Sequence, residues 1–248
     1  MSREGSTAVV QLNQPGRRNA ISQAMWRALP ELVARIEGDP GCRAVVVRGA
    51  GDAFSAGADI SEFSTIYADR ESCDAYNTLI KVGLKALRDI DRPTIALIDG
   101  ICVGGGCATA LACDLRFAAT HSRFAVTPAK LGLSYSIDDT RRLMEKVGPA
   151  RAKDILFSGR LIDAQEAYAI GLVDRLVAVD DIEAATFAYA EHLATLSQAS
   201  IRTSKATVNA ILDGADFAPV EAKIRACFEG DDFREGYNAF MEKRPPRF

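Results

Sequence analysis

Gly100-Ile101-Cys102-Val103-Gly104-Gly105-Gly106-Cys107 follows an apolar, strand-like run, Thr94 to Ile98, and precedes a helix-like one. Upstream, Phe54-Ser55-Ala56-Gly57-Ala58-Asp59 has the same setting. Small residues let backbone amides approach a ligand oxygen, and a helix N-terminus aims free N–H groups and a positive dipole at it. The two turns together read as a two-part oxyanion hole, able to stabilise an enolate.

Outward from these turns, β-branched runs at Thr7 to Leu12 and Ala44 to Arg48 predict strands. Between them, Ile21, Met25, Leu29, Leu32, Val33 and Ile36 repeat at helical spacing. A second stripe (Tyr76, Leu79, Ile80, Leu84, Leu87) ends at Arg92-Pro93, ahead of the strand Thr94 to Ile98. A helix follows from Cys107 to Ala112, then short strands at Leu115 to Ala118 and Phe124 to Val126. Thr140 to Val147 reads as a helix, and Pro149 opens another through Phe157. Asp163 and Glu166 form a capping box for Ala164 to Ile170, Gly171 closes it, and Leu172 to Val179 returns as a strand. Strands recurring between helices predict an α/β or mixed core; the remainder is an all-helical tail. We divide the chain into a core, 1–190, and a C-terminal helical region, 191–248. The tail's apolar stripe exceeds what an appendage exposes, so these helices are expected to pack on a neighbouring subunit.

The 248 residues, 48% of them apolar, can build a sizeable core. Thirty basic and 33 acidic side chains give a net charge of −3, which provides no footprint for nucleic acid or an anionic membrane. The longest apolar stretch, Gly100 to Cys113, is shorter than the ~20 residues of a membrane span. Met1 to Gln11 lacks a secretory pattern, so a cytoplasmic location is expected. Six cysteines (42, 73, 102, 107, 113 and 227) include no C-x-x-C pair, and His121 and His192 fit no metal-ligand or nucleophile spacing. Buried free thiols, no metal and no His-dependent catalysis are expected.

In order along the chain, Leu12-Asn13-Gln14-Pro15 through Asn19-Ala20-Ile21-Ser22, the two turns, Lys130-Leu131-Gly132-Leu133, Thr140-Arg141-Arg142-Leu143, Gly159-Arg160, Ala169 to Val173 and Phe240-Met241-Glu242-Lys243-Arg244 resemble the crotonase (enoyl-CoA hydratase/isomerase) superfamily. The resemblance spans nearly the whole chain. It implies an α/β fold, a spiral of ββα turns with a C-terminal helical trimerisation region, and a homotrimer or dimer of trimers. It also implies an acyl-CoA thioester as ligand, with no further cofactor. By the same resemblance, the amides of Ala58 and Gly105 hold the thioester oxygen. Ala56, Gly57, Asp59 and Ile60 complete the first turn of the substrate site, and carbonyls near Ala20 and Ala56 read the adenine. Lys243, beside Phe240, and one of Arg17 or Arg18 meet coenzyme A phosphates, or the two arginines lie on a solvated loop.

The superfamily's hydratases place glutamates where this chain has Ala108 and Pro128. Hydration needs an acid and a base, which these residues cannot be. Decarboxylation of a malonyl-type thioester needs neither, because loss of carbon dioxide itself generates the enolate. Phe124 to Pro128 and Leu131 to Tyr135 are similar to the methylmalonyl-CoA decarboxylase branch, which pairs Thr-Pro with a catalytic tyrosine. Thr127 and Tyr135 are therefore the preferred polar pair, although that branch has histidine at the position of Ala58.

Asp138 and Asp139 replace a glycine pair usual in relatives, and two readings stand. Either they are surrogate acid and base for an isomerase or atypical hydratase, or one of them caps the helix that follows. Asp59 and Glu62 read as a helix cap and a first-turn carboxylate. A catalytically silent acyl-CoA binding protein is the remaining alternative. The glycine-rich turn lacks the G-x-G-x-x-G spacing of a dinucleotide site.

Overall fold

The computed structural model describes residues 1–248. Its centre is the run Ala44-Val45-Val46-Val47, buried on both sides, as parallel sheet strands are. This strand, β3 (Ala44–Gly49), lies between β2 (Thr7–Leu12) and β5 (Thr94–Ile98), and β7 (Leu115–Ala119) and β10 (Arg175–Val177) continue the parallel sheet. A short β1 (Ser2–Glu4) pairs antiparallel at the edge. A second sheet, in the order β4 (Ala53–Ser55), β6 (Ile101–Val103), β8 (Arg123–Ala125), β9 (Ile162–Asp163), is parallel except for β9.

The helices are α1 (Gln23–Glu37), α2 (Phe63–Ile66), α3 (Arg70–Asp89), α4 (Gly105–Ala112), α5 (Ile137–Val147), α6 (Pro149–Ser158), α7 (Ala164–Ala169) and α8 (Ile182–Ala194), followed by α9 (Gln198–Asp213), α10 (Ala218–Glu229) and α11 (Asp231–Glu242). One strand of the large sheet, one of the small sheet and a helical segment recur three times: β3-β4-α2/α3, β5-β6-α4 and β7-β8-α5. This is a spiral of ββα turns.

Strand alternation divides the core. Val45, Val47, Ala96 and Ile98 face a large cluster with Trp26, Leu84 and Leu87, while Ala44, Val46, Ile95 and Leu97 face a smaller one with Phe117, Ile182 and Ala190. The glycine stretches, read from sequence as turns throughout, each carry a three-residue strand, β4 and β6. Between glycines, such strands are too short to show a period; their pairing in the second sheet makes them.

Helix α8 crosses residue 190 and packs beneath the large sheet through Ile182 and Ala190, so the all-helical tail starts at α9. Lys205 of α9 donates to Arg92 O (2.9 Å) and Asp114 Oδ2 (2.8 Å), tying this helix to its own core. Further on, Phe228, Phe233 and Phe240 stand exposed on α10 and α11. All six cysteines are free; Cys73 and Cys227 are only half-buried, unlike the other four. No helix is long and apolar enough to cross a membrane.

Candidate functional site

The first turn is set by main-chain pairing. Ile21 N–H donates to Gly57 O (2.7 Å) and Asp59 N–H donates to Ile21 O (3.0 Å), an isolated parallel bridge opposite Ala58. In parallel pairing one residue bonds to both neighbours of the residue facing it, so the N–H of Ala58 points away from the bridge, into open space. Asn19, fully buried, fastens the adjoining loops. Its Nδ2 donates to Ala50 O (2.8 Å) and Ala53 O (2.7 Å), and its Oδ1 accepts from Gln14 N–H (3.0 Å). Ser55 Oγ donates to Asn19 O (2.8 Å) and accepts the N–H of Gly57 (3.1 Å). Gly57 has φ +101°, a conformation open to glycine, and a Cβ there would stand 2.9 Å from Val103 O.

The second turn enters α4. Gly104, at φ +51°, donates to Ala125 O (2.8 Å) and accepts at its carbonyl from Ala108 N–H (3.0 Å). Gly105 is the first residue of α4, so its N–H has no intrahelical acceptor. A Cβ on Gly105 would lie 3.3 Å from Ala58 N, and one on Gly57 would lie 3.3 Å from Gly105 N. The two amides thus border one small space that side chains would fill.

This space opens into a cleft of about 810 Å3 between α3, α4 and the start of α5. Ala56, Gly57, Ala58, Ile60, Gly105, Thr127, Tyr135, Asp138 and Asp139 all line it, as do Ala108 and Pro128. Arg18, Ala20, Asp59, Phe240 and Lys243 do not. Phe240 and Lys243 sit at the end of α11, where Phe240 is 81% exposed in the single chain. The Arg17/Arg18 alternative separates: Arg17 is committed to Asp59 (2.8 Å) and Ser61 (2.6 Å), whereas Arg18 is exposed and bonded only through its backbone, donating to Pro15 O (2.9 Å) and accepting from Ala56 N–H (2.8 Å).

Asp59 caps the short turn that follows it, accepting from Ser61 N–H (3.1 Å). Ser61 foremost, then Gln14 and Arg17, hold its carboxyl down to about 2 despite burial. Glu62 accepts from Gln23 N–H (2.8 Å), at the positive end of α1. Both carboxylates are tied to structure.

The helix-cap reading of Asp138 and Asp139 requires correction. Helix α5 starts earlier than Thr140, at Ile137, and its N-cap is Ser136, whose Oγ accepts Asp139 N–H (3.0 Å) and donates to Asp139 Oδ2 (2.6 Å). A serine cap with an acid three residues on satisfies both partners, which places the two aspartates in the first turn. Asp139 is buried and bound by Arg142 (2.8 Å). Burial pushes its carboxyl up and the charge of Asp138 adds to this, against the pull of Ser136 and Arg142. Asp138 faces Lys81 across the cleft at 3.7 Å. Tyr135 donates to Gly104 O (3.2 Å); burial, then the charge of Asp139, pushes its phenol well up, so it stays protonated.

These features agree with comparison to known proteins. The family model for enoyl-CoA hydratase/isomerase matches residues 2–248. The chain belongs to the enoyl-CoA hydratase/isomerase family. Among solved structures, this family member superposes on an enoyl-CoA hydratase/isomerase family protein from Hyphomonas neptunium with a TM-score of 0.96 at 42% identity, covering 100% of this chain and 95% of that one. It also resembles an enoyl-CoA hydratase/carnithine racemase from Magnetospirillum magneticum (TM-score 0.93, 38% identity, 99% and 93% covered). It is 30% identical to the crotonyl-CoA hydratase of Syntrophomonas wolfei, over 100% of this chain and 96% of that protein. The family's crotonase fold is the ββα spiral described above.

Several cleft residues were not singled out as site residues from sequence. Tyr76 is part of an apolar stripe and reads as core, yet it reaches the cleft beside the wholly buried Trp26. Burial raises its phenol to about 12. Neither Tyr76 OH nor Trp26 Nε1 completes a hydrogen bond. Arg142, within a quoted motif, lies three residues after Asp139 on α5, the spacing at which helical side chains meet, and the fold brings the pair to the cleft.

Proposed function

We propose that this family member is an enzyme acting on an acyl-CoA thioester, and that its reaction is decarboxylation of a malonyl-type thioester. One observation supports this above the rest. Two main-chain donors border one space in a cleft whose positions 108 and 128 carry no proton-transfer group. The thioester oxygen sits between the N–H groups of Ala58 and Gly105, each worth about 3 kcal/mol in a site of this kind. The bond from Cα to the carboxylate breaks, carbon dioxide leaves, and the electron pair forms the enolate, whose charge the two amides stabilise. Water supplies the proton that then returns to Cα. Thr127 does not cap the turn after it, and its hydroxyl orients the departing carboxylate. Tyr135 acts through the Gly104–Gly105 peptide group.

The test is release of carbon dioxide from methylmalonyl-CoA and ethylmalonyl-CoA, compared with Gly105→Pro, which lacks the N–H. Turnover above that control supports the reading; equal rates end it.

The raised carboxyl of buried Asp139, next to Tyr135, favours a second reading, proton transfer in an enoyl-CoA isomerisation or hydration. Loss of crotonyl-CoA or 3-enoyl-CoA turnover in Asp139→Asn or Asp138→Asn supports it. Tight acyl-CoA binding without turnover of any thioester supports a silent binding protein instead. For the assembly we propose a homotrimer or a dimer of trimers, its contacts drawn from the exposed apolar faces of α10 and α11. Light scattering on the purified chain measures this.

A further inference from the structure

We infer that the acyl end of the cleft is shaped for a thioester whose acyl group carries an aromatic ring. This rests on the acyl-CoA reading above and specifies the substrate class.

Three rings form a continuous row along the cleft. Phe63 and Tyr67 meet edge to face, with centroids 5.0 Å apart and planes at 85°, and Tyr67 meets Tyr76 at 6.5 Å and 74°. Tyr67 is at the rim, 38% exposed, and Tyr76 is buried. Trp26 extends the aromatic lining to the oxyanion turn, where its Cζ2 stands 3.4 Å from the place a Cβ on Gly105 would occupy. Aromatic lining therefore extends from the mouth of the cleft to the amide that receives the thioester oxygen.

The wall facing these rings is mixed: Thr78, Lys81, Ser136 and Asp138 line the cleft together with Ile80 and Ile137. A methylene chain packs on the aliphatic part of that wall but takes water from the Lys81–Asp138 pair with no polar interaction in return. An aromatic ring fits both walls. Its negative face receives the edges of Tyr67 and Phe63, and its positive edge faces the carboxylate of Asp138. Each ring-on-ring contact is worth roughly two- to tenfold in affinity beyond the area it buries.

Phenylacetyl-CoA and octanoyl-CoA have acyl groups of equal carbon number and neither carries a carboxylate to lose. Each is titrated into the intact protein by calorimetry. Trp26, the single tryptophan, lines the cleft and provides a parallel fluorescence signal. Phenylacetyl-CoA is expected to bind at least about fivefold more tightly than octanoyl-CoA, and Tyr67→Leu to cut that ratio to below about twofold. Equal or tighter binding of octanoyl-CoA to the wild-type protein overturns the inference and leaves the acyl-CoA reading intact. If neither thioester binds the folded protein, the acyl-CoA reading falls as well.

Discussion

The Tyr135 hydroxyl donates to the carbonyl oxygen of Gly104 across 3.2 Å, and this carbonyl shares its peptide group with the N–H of Gly105. A hydrogen bond to the oxygen of an amide draws electrons from its nitrogen and makes the N–H a stronger donor, by about 10–30%. On the proposed mechanism, the phenol thus reaches the developing oxyanion through one peptide plane. Tyr135→Phe is expected to lower kcat for decarboxylation about two- to fivefold and leave KM unchanged, since about 10–30% of a donor worth about 3 kcal/mol is what the phenol adds. Steady-state kinetics on methylmalonyl-CoA decide the matter: a change confined to KM shows ground-state contact instead.

Gly105→Ala places a methyl group 3.3 Å from Ala58 N and 3.4 Å from Trp26 Cζ2, inside the space that the two amides border. Loss of kcat by at least about a hundredfold is expected. Circular dichroism should show an intact helical protein; full activity in this variant would remove the two amides from the mechanism.

Asp59 titrates at about 2 in the folded chain, below its ordinary 3.8, with Ser61 the first cause. The folded state therefore favours the carboxylate, and the stability this contributes is complete above pH ~4 and disappears as pH falls to ~2. Asp59→Asn retains a capping side chain but not the charge that faces Arg17. Its Tm should lie about 2–4 °C below wild type at pH 7, and the gap should close between pH 4 and 2. A gap independent of pH contradicts the assignment.

Tyr76 OH is enclosed without a hydrogen-bond partner. An unsatisfied buried hydroxyl costs about 1 kcal/mol or more, so Tyr76→Phe should raise Tm by about 2–4 °C. Thermal unfolding of the two proteins side by side checks this, and a fall in Tm shows that the hydroxyl has a partner in solution.

Asn19 serves two carbonyls and one N–H at a fully buried position. Asn19→Ala leaves all three without partners, a loss of about 3 kcal/mol, with a Tm drop of roughly 10 °C. Differential scanning calorimetry measures it directly; a drop below about 3 °C means that water replaces the side chain.

The family fold was legible in the order of motifs, and the close approach of the two turns in their glycines. Only a residue without a Cβ fits where Gly57 meets Val103 O, and a positive φ such as that of Gly104 also favours glycine. The strands β4 and β6 were hidden because three residues between glycines show no period. The cap at Ser136 was missed because two adjacent acids drew attention to the wrong end of a serine-acid pair. Trp26 and Tyr76 gave no local signal, and Arg142 gave only its spacing of three from Asp139, which pairs the two once the helix starts at Ile137. Their positions in the cleft depend on how α1, α3 and α5 are packed, and hydrophobic spacing does not distinguish a core face from a pocket wall.

The bridge between Ile21 and Ala58 is made of peptide groups alone, and any residue except proline at those positions can form it. The anchor of the hole is thus largely indifferent to the side chains facing it. On the proposed mechanism, positions 108 and 128 can be exchanged one by one, altering which bond is broken, while the main-chain grip on the thioester oxygen stays the same. A fold built this way separates holding a charge from choosing a reaction, and a laboratory aiming at new thioester chemistry could leave the first alone and vary only the second.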